Sequence, residues 1–234
     1  MSTSPAVLLV HGAWHGSWCW DAVRPLLESS GRAIHTVDLP TVHAEDKTSR
    51  GVADDAVVVR EAIEAIDGPV VVVAHSYGGI PASVAAADQP SVRHIVYVTA
   101  FALDEGESLL GAVGGVAPSW WRIDGDLVST GTEEDPAAHV FFNDVSADVA
   151  EAAVARLKPQ SLRAFTDTLT AAAWHTVPST YLITERDNAI PVFAQEQLAA
   201  RAGSTVHRID TGHSPFYAAP EAATELILAA GLDA

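Results

Sequence analysis

Val70-Val71-Val72-Val73-Ala74-His75-Ser76-Tyr77-Gly78-Gly79 opens with four β-branched residues in a row. That run is the pattern of a parallel strand buried on both faces. Gly79 to Ala87 then reads as an alanine-rich helix, with Pro81 tolerated in its first turn. Ser76 therefore sits at a sharp turn between a strand and a helix. The arrangement is a nucleophile elbow, G-x-S-x-G, with Ala74 in place of the first glycine. The elbow crowds its neighbours between strand and helix, so positions 74 and 78 have to be nearly bare.

Outward from the elbow, strands alternate with helices. Ala6 to Val10 is a short apolar strand leading into His11-Gly12-Ala13-Trp14-His15-Gly16-Ser17-Trp18-Cys19-Trp20. Ser17 is a candidate cap for the next helix and Gly31 a candidate terminator. Ala33 to Leu39 is a second strand, and Thr41 to Arg50 reads as a polar loop. Val52 to Ile66 is an amphipathic helix with Val52, Ala56, Val59, Ile63 and Ile66 on one face. His94 to Ala102 is another buried strand. Ser179 to Thr184 and Ser204 to Ile209 are the last two, with a helix opened by Pro191 and closed by Gly203 between them. Ser214-Pro215 starts the final helix. Such alternation predicts an α/β fold with a mostly parallel sheet flanked by helices.

Residues 104–178 have a different texture. They hold a flexible run, Gly111-Ala112-Val113-Gly114-Gly115-Val116, a Trp120-Trp121 pair, Phe141-Phe142, and helical patterns near Ala147–Leu157 and Gln160–Ala172. No clear strand is read there. The expectation is a helical cap inserted over the strand ends, with residues 1–103 and 179–234 forming the core. A cap over an apolar site presents an apolar underside.

The bulk composition excludes several classes. The chain has 234 residues, of which 48% are apolar, enough for one domain with a sizeable core. A formal charge of −17 repels phosphate backbones and anionic membranes, so neither nucleic acid nor membrane is an expected partner. No apolar run has the length of a membrane span. The first residues lack the basic and apolar segments of a signal peptide. The single cysteine, Cys19, forms no internal disulfide, which fits a reducing, cytoplasmic compartment. A homodimer is compatible with this composition but not specified by it.

In an open parallel sheet, reactive groups gather beyond the carboxyl ends of the strands. Four such ends carry suitable side chains: His11-Gly12-Ala13, Ser76, Thr184 to Pro191, and Asp210 to Ser214. A serine hydroxyl needs a base within reach, and the base needs an orienting carboxylate. The chain order Ser76, Asp187, His213 suits this architecture, with Glu185 as an alternative acid. Backbone N–H groups of Ala13 and Tyr77 are the candidate oxyanion donors. No cysteine pair or phosphate loop suggests a metal or cofactor, and His11 and His15 are read as shaping the oxyanion loop.

These motifs resemble the α/β-hydrolases of the group that contains plant methylesterases, hydroxynitrile lyases and bacterial small-ester hydrolases. The carrying residues are the His11–Trp20 run, Val37-Asp38-Leu39-Pro40, the elbow, Thr184 to Asp187 with Ile190-Pro191, and Gly212-His213. The resemblance implies an α/β-hydrolase fold and a serine esterase acting on a small-molecule ester. The lyase branch typically has Thr where Gly12 stands and Lys where Ser214 stands, so hydrolysis is favoured. Dehalogenases of this fold place Asp at the elbow, and Ser76 excludes them. The expected substrate is a small to medium apolar ester or lactone, bound by Gly12, Trp14, Trp120, Trp121, Phe142 and Trp174. The other classes on this fold are a ligand-binding receptor with little turnover, a lyase, and a cofactor-free oxygenase.

Overall fold

A computed structural model describes residues 4–230. The first four strands are β1 (Ala6–Val10), β2 (Ile34–Val37), β3 (Val70–His75) and β4 (Val92–Val98). Three short strands follow, β5 (Trp121–Asp124), β6 (Leu127–Thr130) and β7 (Gln160–Ser161), then β8 (Ser179–Thr184) and β9 (Thr205–Ile209). The main sheet has six strands in the order β2-β1-β3-β4-β8-β9. Every pairing in it is parallel. The four-valine strand lies near its middle, paired to β1 through Val10↔Ala74 and to β4 through His75↔Val98.

The two-residue period of a strand divides those valines between two cores. Val70 and Val72 join Leu8, Ile80 and Val59 on one face; Val71 and Val73 join Leu9, Trp20, Phe216 and Ile227 on the other. The helices covering the sheet begin with α1 (Arg24–Glu28), α2 (Pro40–His43), α3 (Val52–Glu64) and α4 (Gly79–Ala86). Shorter ones follow between β4 and β8: α5 (Leu109–Ala112), α6 (Ala137–Phe141), α7 (Ala147–Val154) and α8 (Arg163–Thr166). The last are α9 (Val192–Arg201), α10 (Pro215–Ala218) and α11 (Pro220–Ala230). None of the described helices is long and apolar enough to cross a membrane.

Four local expectations change. Ser17 does not cap a helix through its side chain; its N–H and hydroxyl both bond the Asp38 carboxylate, at 2.7 and 3.2 Å. The polar stretch 41–50 is not all loop, because Pro40 starts the short α2 and a 3₁₀ turn follows at Lys47–Ser49. Residues 104–178 contain strands: β5, β6 and β7 form an antiparallel sheet. β5 and β6 pair through Asp124↔Leu127 around Gly125-Asp126, with Gly125 at φ +56°. That is a two-residue hairpin whose first turn position favours glycine. The helix expected from Gln160 to Ala172 shrinks to α8, since Gln160 and Ser161 pair with β6. The Gln160 side chain is committed to tertiary hydrogen bonds that a helix start would break.

Candidate active site

The elbow is built as its residue types require. Ser76 has φ +53°, a strained value for any residue but glycine. It follows β3 directly and opens a 3₁₀ turn, Ser76–Gly78, that runs into α4. A Cβ on Gly78 would lie 2.5 Å from the His11 carbonyl oxygen and 2.9 Å from that of Val10. The bare position lets the elbow pack against the end of β1. Gly12 serves the reverse approach: a Cβ there would lie 2.8 Å from His75 Nδ1 and 2.9 Å from Ser76 Cβ. Ser76 Oγ has no partner among the described residues in this conformation and lines an apolar slot.

His213 and Asp187 arrive from the ends of β9 and β8. His213 Nδ1 donates to Asp187 Oδ2 at 2.8 Å, and both side chains are buried. Five further donors hold the same carboxylate. Thr99 and Thr184 donate their hydroxyls to Oδ2 at 2.6 and 2.8 Å, and Gln195 Nε2 donates at 3.3 Å. The N–H groups of Ala189 and Ile190 donate to Oδ1 at 2.7 and 2.9 Å. Burial raises the pKa of such a group, but the facing His213 and these hydrogen bonds outweigh it, so Asp187 lies below the usual carboxylate range. Glu185 is exposed and pairs with Arg208 at 3.5 Å, so it is not the partner of His213. Thr99 carries φ +39°, strain unusual for a β-branched residue, and spends it on delivering its hydroxyl to Asp187. Neither Thr99 nor Gln195 was singled out from the sequence; each is an ordinary polar residue at an element end.

The loop after β1 is fixed peptide by peptide. His11 Nδ1 donates to the Gly12 carbonyl at 2.8 Å, while its Nε2 accepts the Leu39 N–H at 3.0 Å. His15 Nδ1 donates to the Ala13 carbonyl at 2.7 Å, and the Trp14 N–H donates to Gln160 Oε1 at 3.0 Å. Trp14 itself is at φ +62°. The Ala13 N–H is left without an acceptor among the described residues. The Tyr77 N–H lies in the first turn of a helix, where no intrahelical acceptor exists.

The slot beside Ser76 holds about 30 Å³ and is lined by Trp14, Tyr77, Trp121, Phe141 and Phe165, among others. It shares Phe101, Val113, Pro118, Trp120, Ala189 and Ile190 with an outer cavity of about 740 Å³. Of the residues expected to bind substrate, Trp14, Trp120 and Trp121 line the slot. Phe142 does not. It turns into the core against His15 and Tyr217, and its neighbour Phe141 takes the slot position beside His213. Trp174 anchors the return of the chain, its Nε1 donating to the Leu103 carbonyl at 2.9 Å. Gly12 is a packing position behind Ser76 and does not line the slot.

One trio could in principle approach a metal: His11, Asp38 and His43 bring ligand atoms within 4.8 Å of one another. Their atoms are already engaged. His11 Nε2 holds the Leu39 N–H, His43 Nε2 donates to the His15 carbonyl, and Asp38 holds Ser17. These bonds organise the loop after β1.

Residues 7–226 match the model of a family described as the alpha/beta hydrolase family. The chain belongs to that family. Among curated alpha/beta hydrolase relatives, it is 29% identical to Methylesterase 9 of Arabidopsis thaliana, covering 94% of this chain and 96% of that one. Among solved structures, a pyrethroid hydrolase from Sphingobium faniae JZ-2 superposes with a TM-score of 0.84 at 24% identity, over 97% of both chains. Polyneuridine aldehyde esterase superposes with a TM-score of 0.79 at 24% identity, over 97% of this chain and 99% of that one. At such identity the structures speak for the fold alone.

Three buried histidines make the protein acid-sensitive. Burial lowers His11 to about 4 and His15 to about 3, and it holds His75 well below the usual histidine range. Unfolding returns each to its ordinary value near 6.5. Between those values the unfolded chain binds more protons, so stability falls as pH falls from 6.5 towards 4. Each histidine contributes a slope of about 1.4 kcal/mol per pH unit. Asp55 opposes them by up to one proton, because burial pushes its carboxyl up to about 6. Urea midpoints measured from pH 7 to pH 4.5 should drop steadily; a flat profile would contradict the neutral burial of these rings.

Proposed function

We propose that the protein is a serine carboxylesterase, with Ser76 as nucleophile, His213 as base and Asp187 as its orienting acid. The observation that carries this reading is a strained serine elbow on an apolar slot, with a histidine locked to a buried carboxylate nearby. With Nδ1–H bound to Asp187, neutral His213 has its free lone pair on Nε2. His213 takes the Ser76 proton as Oγ attacks the ester carbonyl, closing a contact that commonly tightens only with substrate bound. The Ala13 and Tyr77 N–H groups receive the oxyanion. His213 then protonates the leaving alcohol, and the acyl-enzyme is hydrolysed by a water that His213 activates.

The two cavities describe the substrate. A slot of about 30 Å³ admits a group such as methyl or acetyl, and about 740 Å³ outside it admits a much larger apolar one. The charges at the outer cavity, Arg201 and Glu107, neutralise each other at 2.7 Å. The substrate is thus an uncharged ester or lactone with one small and one bulky side. Residues 104–178 act as the cap that forms the slot roof. The buried Cys19, its thiol pushed up by burial, fits a reducing cytoplasm.

Steady hydrolysis of p-nitrophenyl acetate, with no cyanide released from a cyanohydrin, is the expected result. Ligand-induced stabilisation without turnover of any ester would overturn the reading in favour of a receptor. Trp120 borders both cavities, so Trp120→Ala should join them. The kcat/KM ratio of p-nitrophenyl octanoate to acetate is expected to rise about 10-fold or more; an unchanged ratio would place the acyl group elsewhere.

A further inference from the structure

One buried carboxylate lies outside the chemistry described so far. Asp55 sits on the core-facing stripe of α3, between Val52, Ala56 and Val59, and is fully buried. An acid on that stripe is costly unless its oxygens are satisfied. Three donors satisfy it. The Thr41 N–H donates to Oδ1 at 3.0 Å, and the Thr41 and Tyr77 hydroxyls donate to Oδ2 at 2.6 and 2.7 Å.

Both branches lead to the oxyanion donors. Tyr77 carries one of them on its own backbone, and its ring is fully buried between Asp55 and the slot. The other branch runs through Thr41. Its hydroxyl donates to Asp55 and accepts from Gln160 Nε2 at 2.9 Å, and Gln160 Oε1 accepts the Trp14 N–H at 3.0 Å. Gln160 is also fully buried. Trp14 follows Ala13 in the strained loop, so this bond sets the peptide next to the second donor. Asp55 accepts hydrogen bonds from both branches.

We propose that Asp55 is a positioning residue for the oxyanion hole, aligning the Tyr77 and Ala13 N–H groups through Tyr77 on one side and Thr41–Gln160–Trp14 on the other. This rests on the esterase reading above. The carboxylate acts through geometry alone: it accepts three hydrogen bonds and touches no substrate. Burial keeps the Tyr77 hydroxyl protonated and hence a donor. Charged neighbours are Asp54 on the same helix, and Asp167, which faces Tyr77. An alanine or leucine in place of Asp55 would pack the stripe as well, but it would leave Tyr77 and Thr41 without an acceptor.

The test compares wild type with Asp55→Asn, Tyr77→Phe and Gln160→Leu, each normalised by active-site titration. The readouts are kcat and KM on p-nitrophenyl acetate and the inhibition constant of a trifluoromethyl ketone, which binds as a tetrahedral oxyanion. A misaligned hole weakens only the transition state, so kcat falls about 10- to 100-fold with KM unchanged. The ketone's inhibition constant rises in parallel. Variants that lose thermal stability but keep wild-type kcat and ketone affinity per titrated site would reduce Asp55 to a structural role and overturn the proposal. If Asp55→Asn does not fold, the single-branch variants Tyr77→Phe and Gln160→Leu decide it. Absence of ester turnover in wild type would instead remove the esterase reading, and this inference with it.

Discussion

Ser76→Ala is expected to lower kcat on p-nitrophenyl acetate by about 10⁴–10⁶-fold, with the fold intact. The large loss follows from where the hydroxyl sits. β3 delivers it to the slot, and φ +53° turns it away from the helix that follows. The substitution removes one oxygen and leaves the backbone demand unchanged, since alanine and serine tolerate that φ about equally. The Ala13 and Tyr77 N–H groups stay in place, so some residual rate over water should survive. Circular dichroism and melting temperature should match wild type. Turnover within tenfold of wild type would show that another group attacks the ester. Burst kinetics on wild type, absent in Ser76→Ala, would identify the acyl-enzyme directly.

Asp187→Asn carries the second large effect, about 10⁴-fold in kcat. The carboxylate accepts six hydrogen bonds, four of them at Oδ2. An amide has only one oxygen to offer them. If its nitrogen faces His213, it donates to Nδ1, and the ring proton moves to Nε2. That tautomer has no lone pair to accept the serine proton. If its nitrogen faces Ala189 and Ile190 instead, two backbone N–H groups lose their acceptor. Either orientation damages the base or the loop that holds it. Glu185→Gln is the control. Exposed and paired with Arg208, Glu185 should be dispensable. A strong loss in Glu185→Gln with little in Asp187→Asn would reverse the assignment of the acid.

Much of this arrangement is legible in the residues themselves. Four consecutive valines can bury both faces only in the middle of a covered sheet, and a small-x-Ser-x-Gly after them leaves one turn geometry open. The Gly125-Asp126 turn was equally readable. Trp121-Arg122-Ile123-Asp124 and Leu127-Val128-Ser129-Thr130 flank it as short alternating segments, and a Gly-Asp pair between such segments is a hairpin signal. Gln160 was not readable. Its local pattern is helical, and only the pairing with β6 and the buried amide's bonds to Trp14 and Thr41 make it a strand residue.

Periodicity and residue chemistry determine what each segment can bury and which side chains can react. They place Ser76, Asp187 and His213 at strand ends because strand ends follow from the alternation itself. They do not determine which of two adjacent aromatics points inward. Phe141 and Phe142 are equally apolar, and the phase of α6 against His213 and Tyr217 chooses between them. Nor do they reveal Thr99, Gln195 or Asp55, whose partners lie 88, 8 and 22 residues away along the chain. A hydrogen bond depends on distance and angle in space, and those exist only once the sheet has brought distant strand ends together.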